Sequence, residues 1–268
     1  TWGRPDAPPL FLLHGWMDVS DSFQFVVDEL KRDWHVIAPD WRGFGQTAWP
    51  VGGYWFADYY ADLDALLAIY STEQPARLVG HSMGGVIACT YAGIRPDRVA
   101  RVISLEGFGL ARTSPADALI RYRRWLGELD STPRFRIYDS YAALAARLRS
   151  DNPRLNDAKA QFIARAWAHE TAPGRIEMRS DPRHKRTNPV LFRIEEQIAC
   201  WREVTAPALW VFARDSAGTG YLKDTPAQLA ERKNAFSDFH EAWVEDAGHM
   251  MHHDQPGVVA GLIESFLT

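Results

Sequence analysis

Gly80-His81-Ser82-Met83-Gly84-Gly85 spells G-x-S-x-G-G directly after the apolar pair Leu78-Val79. The pattern predicts a sharp strand-to-helix turn with a serine at its tip. A residue at such a tip is held in a backbone region that most side chains avoid. The positions two before and two after it must be small, because strand and helix nearly touch there. Gly80 and Gly84 meet that need. The turn exposes the Ser82 hydroxyl and aims a helix N-terminus at whatever binds beside it.

A hydroxyl is a weak nucleophile. It needs a base, a group that orients the base, and donors for a developing oxyanion. His249 is the base candidate: of nine histidines it alone sits beside a glycine in the loop between the last expected strand and the closing helix. The oxyanion donors are expected to be two backbone N–H groups. One is that of Met83, at the helix N-terminus. The other is that of Trp16, where His14-Gly15 lets the chain turn sharply after the first strand. His14 and His81 read as packing residues, and Asp40 and Arg42 as ties for their own loop. No group of His, Cys, Asp and Glu has metal-ligand spacing, and no dinucleotide fingerprint is present.

The elements that must position these groups are visible as apolar runs. Pro9-Leu10-Phe11-Leu12-Leu13, Trp34 to Pro39, Ala76 to Val79 and Val102 to Leu105 read as strands, separated by helical stretches at Ser22 to Leu30, Tyr54 to Ile69 and Val86 to Ala92. Such alternation predicts a parallel sheet covered by helices on both faces, with its active site beyond the C-terminal strand ends. From residue 111 to 203 the period is helical with no convincing strand, and Arg175 to Asn188 reads as a polar loop. Alternation resumes at Ala208 to Phe212 and closes with a helix near Thr225 to Arg232, a strand at Phe239 to Val244 and a helix from Pro256 to Leu267. The expected organisation is a core of residues 1–110 and 204–268 with residues 111–203 as a helical cap over the catalytic edge. Trp125 and Trp167, within that cap, are candidates to line a substrate pocket.

The 268 residues suffice for one such unit. A net charge of −4 gives no reason to expect a nucleic-acid partner, and no apolar run reaches the length of a membrane span. Cys89 and Cys200 read as free thiols in a reducing, cytoplasmic compartment. No secretory leader is visible, and Thr1-Trp2-Gly3 reads as the interior of a natural chain. Oligomeric state is not legible.

His14-Gly15-Trp16-Met17-Asp18, Asp40-Trp41-Arg42-Gly43-Phe44-Gly45, Gly80 to Gly85 and Gly248-His249 together resemble the α/β-hydrolase fold superfamily. Within it the chain is most similar to the capped serine hydrolase-like proteins and carboxylesterases. The resemblance covers residues 8–110 and 205–268 well and the insertion poorly. It implies a mostly parallel, doubly wound sheet with the cap inserted before the last two strands. It also implies a Ser82–His249–acid triad. Most members carry the acid after the strand that follows the cap, and there the usual aspartate falls on Ser216, with Asp215 one place early. Some haloalkane dehalogenases carry it after the strand before the cap, where this chain has Glu106. Glu106 is the expected acid and Asp215 the alternative. The activity implied is hydrolysis of small to medium apolar carboxylic esters, without cofactor or metal. Carbon–carbon bond hydrolysis, cofactor-free lyase chemistry on the same triad, and a ligand-binding protein that lost turnover are the alternatives.

Overall fold

The computed structural model describes residues 1–131, 133–216 and 222–268. Six strands form one sheet: β1 (Pro9–Leu13), β2 (His35–Ile37), β3 (Ala76–His81), β4 (Val99–Leu105), β7 (Ala208–Ala213) and β8 (Phe239–Val244). Their order is β2-β1-β3-β4-β7-β8, and every neighbouring pair is parallel. Trp2 forms an antiparallel bridge to Val36 at one edge.

The apolar runs explain the layering. Successive residues of a strand face opposite sides. Phe11, Leu13, Leu78, Val102 and Trp210 pack on one face with α2 (Phe56–Tyr70), α3 (Met83–Ile94) and α7 (Ile194–Trp201). Leu10, Leu12, Val79, Ile103 and Val211 pack on the other with α1 (Gln24–Val27), α9 (Met251–Asp254) and α10 (Pro256–Leu267). The expected helix at Ser22 to Leu30 is only a 3₁₀ turn, Ser20–Phe23, followed by the single turn α1. Two helices meet at backbone distance: a β-carbon on Gly93 of α3 would lie 1.8 Å from the Cys200 carbonyl oxygen of α7.

Between β4 and β7 come α4 (Asp117–Leu129), α5 (Tyr141–Asp151), α6 (Asp157–Trp167) and α7, as the helical period predicts. The expectation of no strand here is overturned. β5 (Ala168–Ala172) and β6 (Arg175–Met178) pair antiparallel around Gly174, whose φ is +70°. The hairpin is largely exposed and its few apolar residues, Ala168, Ala172, Ile176 and Met178, are interspersed with charged and polar ones, so a sustained apolar alternation is missing. It joins α5 and α6 around a separate apolar cluster of Leu144, Leu148, Ile163 and Ile176. Arg232, on α8 (Pro226–Lys233), ties the start of this insertion to the sheet. Fully buried, it pairs with Asp224 and donates to the carbonyls of Phe108 (2.9 Å) and Leu110 (3.0 Å). No helix among the described residues is long and apolar enough to cross a membrane.

Candidate active site

Ser82 caps the N-terminus of α3 with φ +50° and ψ −114°, a strained geometry for a residue with a side chain. The glycines around it are obligatory. A β-carbon on Gly80 would lie 2.2 Å from the Gly84 carbonyl carbon, and one on Gly84 would lie 2.1 Å from the Leu13 carbonyl oxygen. The Ser82 N–H donates to the Leu105 carbonyl at 2.8 Å, which locks the turn onto the end of β4. Ser82 itself is half-buried.

One residue beyond Leu105, Glu106 leaves β4 with φ +56° and is 1% exposed. A carboxylate buried this deeply is costly unless its oxygens are satisfied. Here Oε1 accepts from the Ala213 N–H at 2.8 Å, and Oε2 accepts from the Ser216 hydroxyl at 2.5 Å. His249 Nδ1 lies 3.5 Å from the same Oε2, at the outer limit of a hydrogen bond. His249 occupies the loop between β8 and α9, and its side chain is 44% exposed. His81 Nε2 donates to the His249 carbonyl at 2.8 Å and holds that loop against the turn. Among the described residues the Ser82 hydroxyl makes no hydrogen bond. A catalytic pair is often loose until substrate binds.

Asp215 sits elsewhere. Its carboxylate pairs with Arg154 Nη2 at 2.6 Å, and both groups are well exposed. Its N–H donates to the Ala247 carbonyl. The chain turns at Arg214–Asp215, with the Ser216 N–H donating to the Ala213 carbonyl at 3.3 Å, so Ser216 meets Glu106 while Asp215 faces outward.

Met83 opens α3, so its N–H is free of intrahelical partners and lies beside Ser82. The loop after β1 comes close to it: a β-carbon on Gly15 would lie 3.2 Å from Ser82 Cβ. Trp16 follows with a half-exposed ring, and Met17 turns the chain at φ +63°. His14 anchors the loop by accepting from the Trp41 N–H at 2.9 Å. Asp40 accepts from the N–H groups of Ser20 and Gln46, and Arg42 pairs with Asp58 and Asp62. Trp167 donates its indole N–H to Asp18 at 2.8 Å, which joins the end of α6 to the loop after β1. Trp125 is half-buried on α4.

Two features escape a reading of the linear chain. The Ser216–Glu106 bond spans 110 residues and has no local signal. Asp18, His81 and His252 also converge behind the turn, with one ligand-capable atom of each within 4.8 Å of the others. Only the position of His252, three residues after His249, hints at that meeting.

The sequence profile of the α/β hydrolase fold matches residues 8–256. The chain belongs to the α/β hydrolase family. Among relatives of this α/β hydrolase, a serine hydrolase-like protein of Danio rerio is 27% identical over all of this chain and 83% of its own length. Serine hydrolase-like protein 2 of Homo sapiens is 24% identical over all of this chain and 89% of its own. Of solved structures, the thioesterase domain from the curacin biosynthetic pathway is 25% identical, covers 98% of this chain and 93% of its own, and superposes with a TM-score of 0.86. The hydrolase fold and these neighbours favour a hydrolase as the class of activity.

Proposed function

We propose that this α/β hydrolase cleaves small to medium apolar carboxylic esters through a covalent acyl-serine, with Ser82 as nucleophile, His249 as base and Glu106 as the acid that orients it. The observation that carries the reading is the buried Glu106 carboxylate facing His249 Nδ1 at 3.5 Å beside the strained Ser82 turn. With Nδ1 toward the carboxylate, Nε2 is the nitrogen left to take the serine proton. Ser82 Oγ attacks the acyl carbon as that proton moves to His249. The N–H groups of Met83 and Trp16 receive the oxyanion, each worth about 3 kcal/mol of barrier by analogy with other acyl-transfer sites. His249 returns the proton to the departing alcohol, and water activated by the same imidazole releases the acid.

Residues 111–203 are proposed as the cap that shields this chemistry, with Trp125 and Trp167 as its candidate pocket residues. A thioester undergoes the same steps with a better leaving group, and one structural neighbour is a thioesterase domain. The substrate panel should therefore contain both.

The test is p-nitrophenyl ester and acyl-thioester turnover together with fluorophosphonate labelling of Ser82. Turnover and labelling are expected, and both should vanish in Ser82→Ala. Labelling without turnover of any chain length points instead to carbon–carbon bond or lyase chemistry on the same groups. Neither labelling nor turnover points to a binding protein.

A further inference from the structure

A second polar cluster lies directly behind the candidate catalytic groups. Asp18 (2% exposed), His81 (2%) and His252 (0%) are all buried, and one ligand-capable atom of each falls within 4.8 Å of the other two. Elementary hydrogen-bond accounting shows what the cluster lacks. A carbonyl only accepts, so the proton on His81 sits on Nε2, which donates to the His249 carbonyl. That leaves the buried His81 Nδ1 lone pair with no hydrogen-bond donor among the described residues. Among the described residues His252 Nδ1 likewise has no partner, while its Nε2 lies 3.6 Å from Asp18 Oδ2. A buried acceptor without a partner costs about 1–3 kcal/mol.

We propose that Asp18, His81 and His252 bind a divalent transition-metal ion of the zinc class, seated between the loop after β1, the Ser82 turn and α9. The ligand set is two imidazoles and a carboxylate, a donor type that such ions accept. The Ser22 hydroxyl, which donates to Asp18 Oδ2 at 2.8 Å and lies 3.5 Å from His252 Nε2, is the nearest candidate for a fourth ligand. In a tetrahedral site neighbouring ligand atoms lie roughly 3.4 Å apart, so binding needs a contraction of about an ångström.

The surrounding bonds are those that orient metal ligands elsewhere. His81 gives its far N–H to a backbone carbonyl, which fixes the tautomer with Nδ1 free. Asp18 Oδ1 accepts from the Val19 N–H and from Trp167 Nε1, both at 2.8 Å, which aims the carboxylate. A neutral imidazole keeps one N–H, so ligation through His252 Nε2, which faces Asp18 Oδ2 at 3.6 Å, moves that proton to Nδ1. An ion here would fix the His249 loop through His81 and would tie the Trp167 end of α6 to the sheet.

The proposal is independent of the ester-hydrolase reading and is tested on the full chain without any substrate. After chelator treatment, Zn²⁺ is titrated calorimetrically and Co²⁺ by its visible spectrum. One equivalent is expected, with a tetrahedral Co²⁺ band and a melting temperature raised by several degrees. Asp18→Asn and His252→Gln should each weaken binding at least tenfold, and His249→Ala should leave it unchanged. If either of the first two variants fails to fold, X-ray absorption of the Zn²⁺-loaded wild type decides through a first shell with two imidazoles. No stoichiometric binding, binding lost only in His249→Ala, or a shell without two imidazoles would each overturn the proposal.

Discussion

Ser216 donates its hydroxyl to Glu106 Oε2 at 2.5 Å, from the position where most α/β hydrolases resembling this chain carry the acid itself. The serine and the carboxylate thus meet from the two strand ends that serve alternative acid positions in the family. Glu106 faces His249 as well, whereas Asp215 is engaged with Arg154 at the surface. Glu106→Gln is therefore expected to lower kcat for an ester substrate by two or more orders of magnitude. Asp215→Asn should change it less than threefold. Steady-state kinetics on the two variants separate the assignments, and the reverse ranking would move the acid without touching the fold.

The turn at Ser82 depends on close backbone approach. Gly84→Ala would place a β-carbon 2.1 Å from the Leu13 carbonyl oxygen. Overpacking of this kind costs about 1–3 kcal/mol. Ester turnover should fall at least a hundredfold, and the melting temperature should drop by roughly 3–10 °C. Among the described residues, a β-carbon on Gly127 of α4 would have nothing within 4 Å. Gly127→Ala should stabilise slightly, by about 0.5–1 kcal/mol, because alanine loses less backbone entropy in a helix. Calorimetry on the pair distinguishes local crowding from a general effect of the substitution.

Arg232→Met tests the tie between the insertion and the sheet. It removes the fully buried partner of Asp224, itself nearly buried, and strips donors from the carbonyls of Phe108 and Leu110. Deleting one member of a buried ion pair costs about 3–5 kcal/mol. Urea unfolding should show a loss of that size. In Arg232→Met/Asp224→Leu part of it should return, since no buried charge is then left alone.

Stability should decline with acid more steeply than carboxylates alone would cause. His184 is stacked between Phe44 and Tyr54, at ring separations of 4.0 and 3.5 Å, and burial pushes it down to about 4. The unfolded chain binds that proton near pH 6.5 and the folded chain only near 4. Between those values the unfolded state holds more protons, so stability falls as pH falls. The slope from one such group is about 1.4 kcal/mol per pH unit, on the order of 3 kcal/mol across the window. His184→Asn should flatten the curve by that one-proton slope between pH 6 and 5, as read by urea titrations at each pH. His14, His81, His252 and His253 are also lowered by burial, so a residual slope is expected in the variant.

The sheet and the Ser82 turn were legible because their physics is local. A doubly covered strand must be apolar throughout, and a strand-to-helix turn this tight must be glycine on both sides. Strand β8 and helix α10 fall at the residues their patterns name. The hairpin β5–β6 was not legible, because Ala168–Ala172 and Arg175–Met178 show solvent too much of their surface to need an apolar rhythm. Nor could spacing reveal that Ser216 would hold Glu106, or that Asp18 would reach His81 and His252. Those meetings are made by the order in which strands join the sheet.

The backbone-to-backbone seat of Gly93 on Cys200 divides the molecule's tolerance for change. Below it, any added bulk is transmitted straight to the helix that carries Ser82. Above it, the stretch from Leu110 to about Val190 borders that helix less closely and meets the sheet side chiefly through Trp167 on Asp18, Asp181 on Tyr54 and His184 on Phe44. Added bulk at Gly93 is thus expected to reach the Ser82 helix directly, whereas a change on the solvent-facing side of α4, which has no buried residue, is not.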